Sequence, residues 1–140
     1  MAEFGSSSRR RLATCHEVLQ ILAERVVKRR DCFVACGHRG EQEQNDAVRD
    51  GKSRTAFPFS KHNSKPSMAI DLCPWPEQWA SKPAFLQLRD IVMEEWKKME
   101  AEGLTQGFKL RWGGDWDGDG ILVEDDPDEG LIDKPHWELV

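Results

Sequence analysis

The sequence predicts an α+β domain, a small antiparallel sheet with helices packed on it. Three observations carry that expectation. Two long stretches repeat apolar residues at helical spacing, several short runs are rich in β-branched or aromatic residues, and the two kinds follow one another without a regular βαβ repeat. A length of 140 residues suits one domain, residues 1–140, that buries about two thirds of its unfolded surface around a single core.

The elements follow in chain order. Leu12, Val18, Leu19, Leu22, Ala23, Val26 and Val27 recur at helical spacing behind a Ser-rich start suited to capping, so a first helix is expected from Leu12 to about Lys28. CFVACG at 32–37 is short, apolar and partly β-branched or aromatic, hence a strand, and EQEQNDAVRDG reads as a helix stopped at Gly51. Residues 52–67 carry Pro58, Pro66 and four serines with no period, and form a loop. MAIDLC at 68–73 is a strand closed by PWP, which cannot continue a ladder. Pro83 opens a second long helix whose stripe of Phe85, Leu88, Ile91, Val92, Trp96 and Met99 ends near Gly103. FKLRWGG and PHWELV are two further strands separated by an acidic, Gly-rich loop.

Charge and composition exclude some roles. With 20 basic and 25 acidic side chains the net charge is -5, which argues against nucleic acid as the main partner. The acid is concentrated in residues 115–129, whereas RRR at 9–11 and KRR at 28–30 make the start basic, either a solvated helix face or an attraction to an anionic polymer such as a cell wall. No stretch reaches the roughly 18 apolar residues of a membrane span, and MAEFGSSSRRR lacks the apolar core of a secretion signal, so a soluble protein held in the cytoplasm is expected. Cys15, Cys32, Cys36 and Cys73 fit neither a C-x-x-C motif nor a disulfide framework, and reduced thiols are expected. Cys32 and Cys36 fall on one side of a regular strand, where zinc binding is an alternative. Trp75, Trp79, Trp96 and Trp112 lie in apolar runs expected in the core, while Trp116 and Trp137 neighbour polar candidates and are expected to shape a cleft. His16 and His38 have no evident partner, and Ser60 lacks the G-x-S-x-G elbow of a serine hydrolase.

Strand alternation isolates the chemistry. Met68, Ile70 and Leu72 face one way and Ala69, Asp71 and Cys73 the other; in the last strand His136 and Glu138 share a face opposite Trp137 and Leu139. A carboxylate on an otherwise apolar strand is costly unless it is paired or metal-bound. Asp71 and His136, joined by His62 from SKH, make a two-imidazole, one-carboxylate set of the type catalytic zinc uses. Spacing alone leaves open the plainer alternative, an exposed loop histidine and a turn-capping aspartate.

S-x-H followed by AID, and the closing D-x-P-H-W-E, resemble the two signature motifs of the zinc D,D- and L,D-peptidases of peptidoglycan. That group includes vancomycin-resistance dipeptidases, D-alanyl-D-alanine carboxypeptidases and phage L-alanyl-D-glutamate endolysins. The resemblance to the single-domain endolysins spans almost the whole chain, through LAT, Arg39, GKS at 51–53, SKH, AIDL, LRWGGDW and HWELV. It implies the family's zinc peptidase fold, zinc ligands at His62, Asp71 and His136, an acid/base at Asp133, and an arginine, Arg39, that holds substrate or transition-state oxygen. It further implies that Asp133 takes the proton of a zinc-polarised water and passes it to the leaving amine. Glu138 either orients a zinc-bound imidazole or binds substrate. Two departures stand out: NSKPSM places six residues between His62 and the AID run where many relatives have a glycine and four residues, and Asp133 stands where the dipeptidase branch resembles Glu.

DWDGDGILVEDD at 115–126 offers a second cation site. Asp115, Asp117 and Asp119 occupy positions one, three and five, Gly120 six, the Ile121 carbonyl seven and Asp126 twelve, the ligand spacing of an EF-hand calcium loop. An acidic solvated loop is the alternative; bound calcium is expected to order the segment leading to Asp133 and to switch activity on. The expected function is thus a monomeric phage lysis enzyme, antimicrobial in effect, that cuts peptidoglycan stem peptides and reaches the wall from the host cytoplasm through a membrane lesion. A D,D-carboxypeptidase of the same family and a non-catalytic, calcium-dependent wall-binding module are the competing readings.

Overall fold

β1 (Cys32–Cys36), β2 (Ala69–Pro74), β3 (Leu110–Trp112) and β4 (His136–Leu139) form one sheet in the order β1-β2-β4-β3, every neighbouring pair antiparallel. The computed structural model describes residues 2–120, 122–125 and 132–140. The strand that comes last in the chain therefore lies inside the sheet, between β2 and β3.

Around the sheet run α1 (Ser6–Leu12), α2 (Glu17–Arg29), α3 (Glu41–Arg49) and α4 (Lys82–Ala101). The apolar stripes that predicted α2 and α4 form the core: Val18, Leu19, Leu22, Ala23 and Val26 meet Leu88, Val92, Trp96 and Met99, over Ile70, Leu72, Trp137 and Leu139. Burying large side chains of this kind stabilises by about 1.5–3 kcal/mol each. Ser81 caps α4, its Oγ accepting from Ala84 N at 3.3 Å, and Pro83 sits in the first turn, where its missing N–H costs nothing.

Four expectations need correction. The first helix is two: α1 ends at Leu12 and α2 begins at Glu17, because His16 turns its ring back and accepts from Val18 N through Nδ1 at 3.1 Å. His16 is thus a helix cap, which accounts for its lack of a partner in the sequence pattern. Cys32 and Cys36 do not share a face: a bulge between Val34 and Cys36 puts Cys32 in the core and Cys36 opposite Asp71. Trp96 and Trp112 are buried as expected, but Trp75 and Trp79 are 46% and 57% exposed, edge-on to Phe33 at the sheet margin. Trp137, expected near the cleft, is a core residue stacked on Trp112. Burial pushes the thiols of Cys15, Cys32 and Cys73 up to about 12, and all four cysteines are free.

Candidate metal centre and catalytic cleft

The register of the sheet draws the polar face together. Asp71 pairs directly with His136 across β2 and β4, Cys36 pairs with Asp71 from β1, and Glu138 lies opposite Arg111 of β3. The third member comes from a loop: a 3-10 turn at Lys61–Asn63, capped by Ser60 Oγ accepting from His62 N at 3.2 Å, aims the His62 ring at the strands. Asn63 closes the turn by accepting from Ser60 N at 3.0 Å and donating to Arg39 O at 2.9 Å. The six-residue NSKPSM connection to the AID strand leaves His62 inside the site, 2% exposed.

His62 Nε2, Asp71 Oδ1 and His136 Nδ1 make a triangle with edges of 3.2, 3.2 and 3.3 Å. Donor atoms about 2.1 Å from a tetrahedral zinc stand about 3.4 Å apart, so the three are spaced as one face of such a site. Their outer atoms are already committed. His62 Nδ1 donates to Gly37 O at 2.7 Å, and His136 Nε2 donates to Glu138 Oε1 at 2.7 Å. Those bonds leave the inner nitrogens as the lone-pair donors, the arrangement that metal-binding imidazoles need. Glu138 is in turn held by Arg111, whose Nη2 and Nε donate to Oε2 at 2.6 and 3.2 Å.

The electrostatics of this centre favour positive charge. Burial disfavours ionisation of Asp71, yet the two imidazoles outweigh it and hold its carboxyl well below the usual range. Burial likewise opposes the imidazolium, but Asp71 raises His62 to about 10, and Asp71 with Glu138 raises His136 to about 9. Asp133 behaves oppositely: burial first, then the charge of Asp71, lift its carboxyl to about 6, with Oδ2 3.8 Å from His136 Nδ1. Its backbone is clamped on Gly113, Asp133 N donating to Gly113 O at 3.0 Å, and a Cβ on Gly113 would stand 2.2 Å from Asp133 O. Arg39 lies on the same cleft, its Nη2 4.0 Å from Asp71 Oδ2 and its Nη1 donating to Gln44 Oε1 at 3.0 Å.

Two residues here differ from the sequence reading: Cys36, expected beside Cys32, joins the histidine site instead, and Gln44 is not singled out by it. Cys36 offers its Sγ in a group with His62 and Asp71 whose ligand atoms all lie within 4.8 Å of one another. Gln44, fully buried on an otherwise polar helix, donates to Ser53 Oγ at 3.0 Å and Thr55 O at 2.6 Å while accepting from Arg39 and Asn63. Its signal was the shared face of Gln44 and Ala47, three apart on α3.

The acidic loop gathers three of its five expected ligands. Carboxylate oxygens of Asp115, Asp117 and Asp119 lie within 4.8 Å of one another; Gly120 N donates to Asp115 Oδ2 at 3.0 Å and Asp119 N to Asp117 Oδ1 at 3.1 Å. Asp115 Oδ1 is buried with no hydrogen-bond partner among the described residues, and burial followed by the proximity of Asp117 raises its pKa. Ile121 and Asp126 lie outside the described residues. Between two of the aspartates, Trp116 rests on the His136 ring, centroids 5.3 Å apart, and lines the cleft.

A cleft of about 360 Å³ opens over His62, Asp133 and His136. With a half-buried carboxylate able to exchange a proton and a guanidinium beside it, this is the equipment of a small hydrolytic enzyme working on an amide. The chain belongs to the phage L-alanyl-D-glutamate peptidase family, whose model matches residues 1–140. It is 30% identical over 143 residues to the L-alanyl-D-glutamate peptidase of Escherichia phage T5, covering 99% of this chain and 98% of that protein. The fold also matches the crystal structure of the Serratia marcescens L-Ala D-Glu endopeptidase ChiX, with a TM-score of 0.71 over 99% of this chain and 91% of that one, at 21% identity. The protein is accordingly a phage peptidase that hydrolyses the L-alanyl-D-glutamate bond of peptidoglycan stems.

Proposed function

We propose that this peptidase is zinc-dependent, with His62, Asp71 and His136 as ligands, Asp133 as acid/base, Arg39 as the oxyanion partner and Glu138 orienting His136. The triangle of donor atoms at 3.2, 3.2 and 3.3 Å is the observation that supports it most directly. Zinc in that position supplies Lewis acidity toward the scissile carbonyl and lowers the pKa of water toward about 7.

The chain's own groups do the rest. Asp133, whose carboxyl lies 3.8 Å from His136 Nδ1, accepts the proton of the attacking water and returns it to the leaving alanyl–glutamyl nitrogen. Arg39, held by Gln44, presents fixed positive charge where negative charge develops on the carbonyl oxygen. Glu138 keeps the His136 tautomer and ring plane, and Arg111 keeps Glu138 ionised, its carboxyl lowered to about 2 against burial by bonds from His136 and Arg111. Asp115, Asp117 and Asp119, with the Ile121 carbonyl and Asp126, would hold a calcium ion, which would order the loop where Trp116 meets His136 and so switch activity on. In its biological setting the enzyme is a monomer that acts on the wall at lysis, after release from the host cytoplasm.

Mass spectrometry of fragments released from purified peptidoglycan tests the reading. New N-terminal D-glutamate that disappears on chelation and returns with zinc supports it. Release of D-alanine favours the carboxypeptidase, and turnover indifferent to chelation sinks the zinc assignment.

A further inference from the structure

We propose that Lys52 and Arg54 form a carboxylate-reading wall of the cleft, which recognises the free carboxyl group of the glutamyl residue and rejects the same residue as a primary amide. The proposal rests on the assignment of the L-alanyl-D-glutamate bond as the one cut. A glutamyl residue has two carboxyl groups, and a linear peptide uses only one; the other stays anionic within a few bonds of the scissile nitrogen. The alanyl side offers only a methyl group, so charge recognition falls on the leaving-amine side.

The protein carries a net charge of -5, yet residues 51–70 contain Lys52, Arg54, Lys61 and Lys65 and no acid. Of these, Lys52, Arg54 and Lys61 line the cleft that holds His62, Asp133 and His136, while Lys65 is exposed away from it. The cleft is therefore bipolar, with carboxylates at the reaction end and cations on the loop wall. Lys52 also borders the adjoining hollow beside Asp133 and Arg39. Most cations elsewhere on the surface, among them Arg29, Arg30, Arg49 and Arg111, are in ion pairs. Lys52, Arg54 and Lys61 are in none among the described residues; Asp50, whose carboxyl Lys52 helps to keep ionised, is itself bonded to Arg49 at 3.1 Å.

The wall is fixed to the catalytic groups rather than left to drift. Lys52 N and Ser53 N both donate to Ala47 O, at 2.8 and 3.2 Å. Gln44 ties Ser53 and Thr55 to the same amide group that holds Arg39 and Asn63. The backbone that carries the two cations is thereby held in place relative to the reaction centre by main-chain bonds and a buried side chain, while the exposed cationic groups reach from it into the cleft. A carboxylate accepts from both cations; an amide turns donors toward donors and loses the charge.

Two synthetic stem peptides, identical except for a carboxylate or a primary amide on the D-glutamyl residue, test this through their kcat/KM values. The wild type should prefer the carboxylate by about tenfold, and the preference should shrink between about 0.01 and 1 M salt, as the screening length falls from about 30 to 3 Å. Lys52→Ala/Arg54→Ala should reduce the ratio to about threefold or less, Lys52→Arg/Arg54→Lys should keep it, and Lys65→Ala should leave it as in the wild type. Equal cleavage of both peptides by the wild type, or an undiminished ratio in the double alanine variant, overturns the subsite while leaving the bond assignment intact. Cleavage of neither peptide overturns the bond assignment and the subsite with it.

Discussion

The two candidate cation sites differ in how they are built. At the sheet, Asp71 and His136 are paired strand residues, His62 rides a capped turn, and each outer imidazole nitrogen is already bonded. In the acidic loop, Asp115, Asp117 and Asp119 come from consecutive turns, with Gly118 and Gly120 at positive φ, and two of the three are exposed. The first arrangement has its geometry set by the fold; the second is assembled from a few local hydrogen bonds. Preorganised donors suit a cation that takes part in chemistry, and a pliable oxygen-rich loop suits one that signals.

Perturbing each region separates these roles. The largest effect is expected at Asp133: Asp133→Asn should lower kcat by about 10²–10⁴-fold with zinc stoichiometry unchanged, and loss of zinc in that variant would reassign the residue as a ligand. Gly113→Ala drives a methyl into the Asp133 carbonyl and should cost about 10²-fold in kcat, since a displacement near 1 Å is enough; retained activity would show that Asp133 tolerates the shift. Glu138→Gln should weaken zinc by about 10–100-fold in a chelator competition, more than it changes kcat at saturating metal. At the loop, a zinc-sparing calcium chelator should lower the thermal midpoint by about 5–10 °C from its value at calcium near 100 Kd, with Asp115→Asn abolishing the response. If midpoint and rate both ignore the chelator, the regulatory half of the comparison falls.

The smallest effect is one of pH on metal-free protein. Asp133 is raised to about 6, so the folded state binds its proton more tightly than the unfolded chain, and ionising it destabilises the fold as pH climbs from about 4 through 6. Metal-free Asp133→Asn should therefore melt above metal-free wild type at pH 7, and the gap should close below about pH 4. Zinc should move the Asp133 titration downward, visible by NMR.

Much of this centre was legible because the β period is two. Alternation alone set Asp71 against the apolar face of its strand and grouped His136 with Glu138, and the register then placed Asp71 opposite His136. What escaped were features that break a period. The bulge that delivers Cys36 to Asp71 has no glycine or proline to mark it, and the break between α1 and α2 depends on a histidine cap. Gln44 escaped for a different reason: a buried polar residue on a polar helix gives little contrast beyond the face it shares with Ala47, and its four partners come from three segments of the chain. Trp75 and Trp79 show the converse, since an apolar run at a sheet margin has nothing to cover it.

The position of β4 has a consequence for timing. It follows every other strand in the sequence, yet it inserts between two of them and carries His136 and Glu138. A chain still emerging from the ribosome can form helices α2 and α4 and pair β1 with β2, but β3 has no neighbour and Asp71 no imidazole across from it. The hydrolytic centre thus comes into being in a single late, long-range closure, and incomplete translation products would be inert toward the wall.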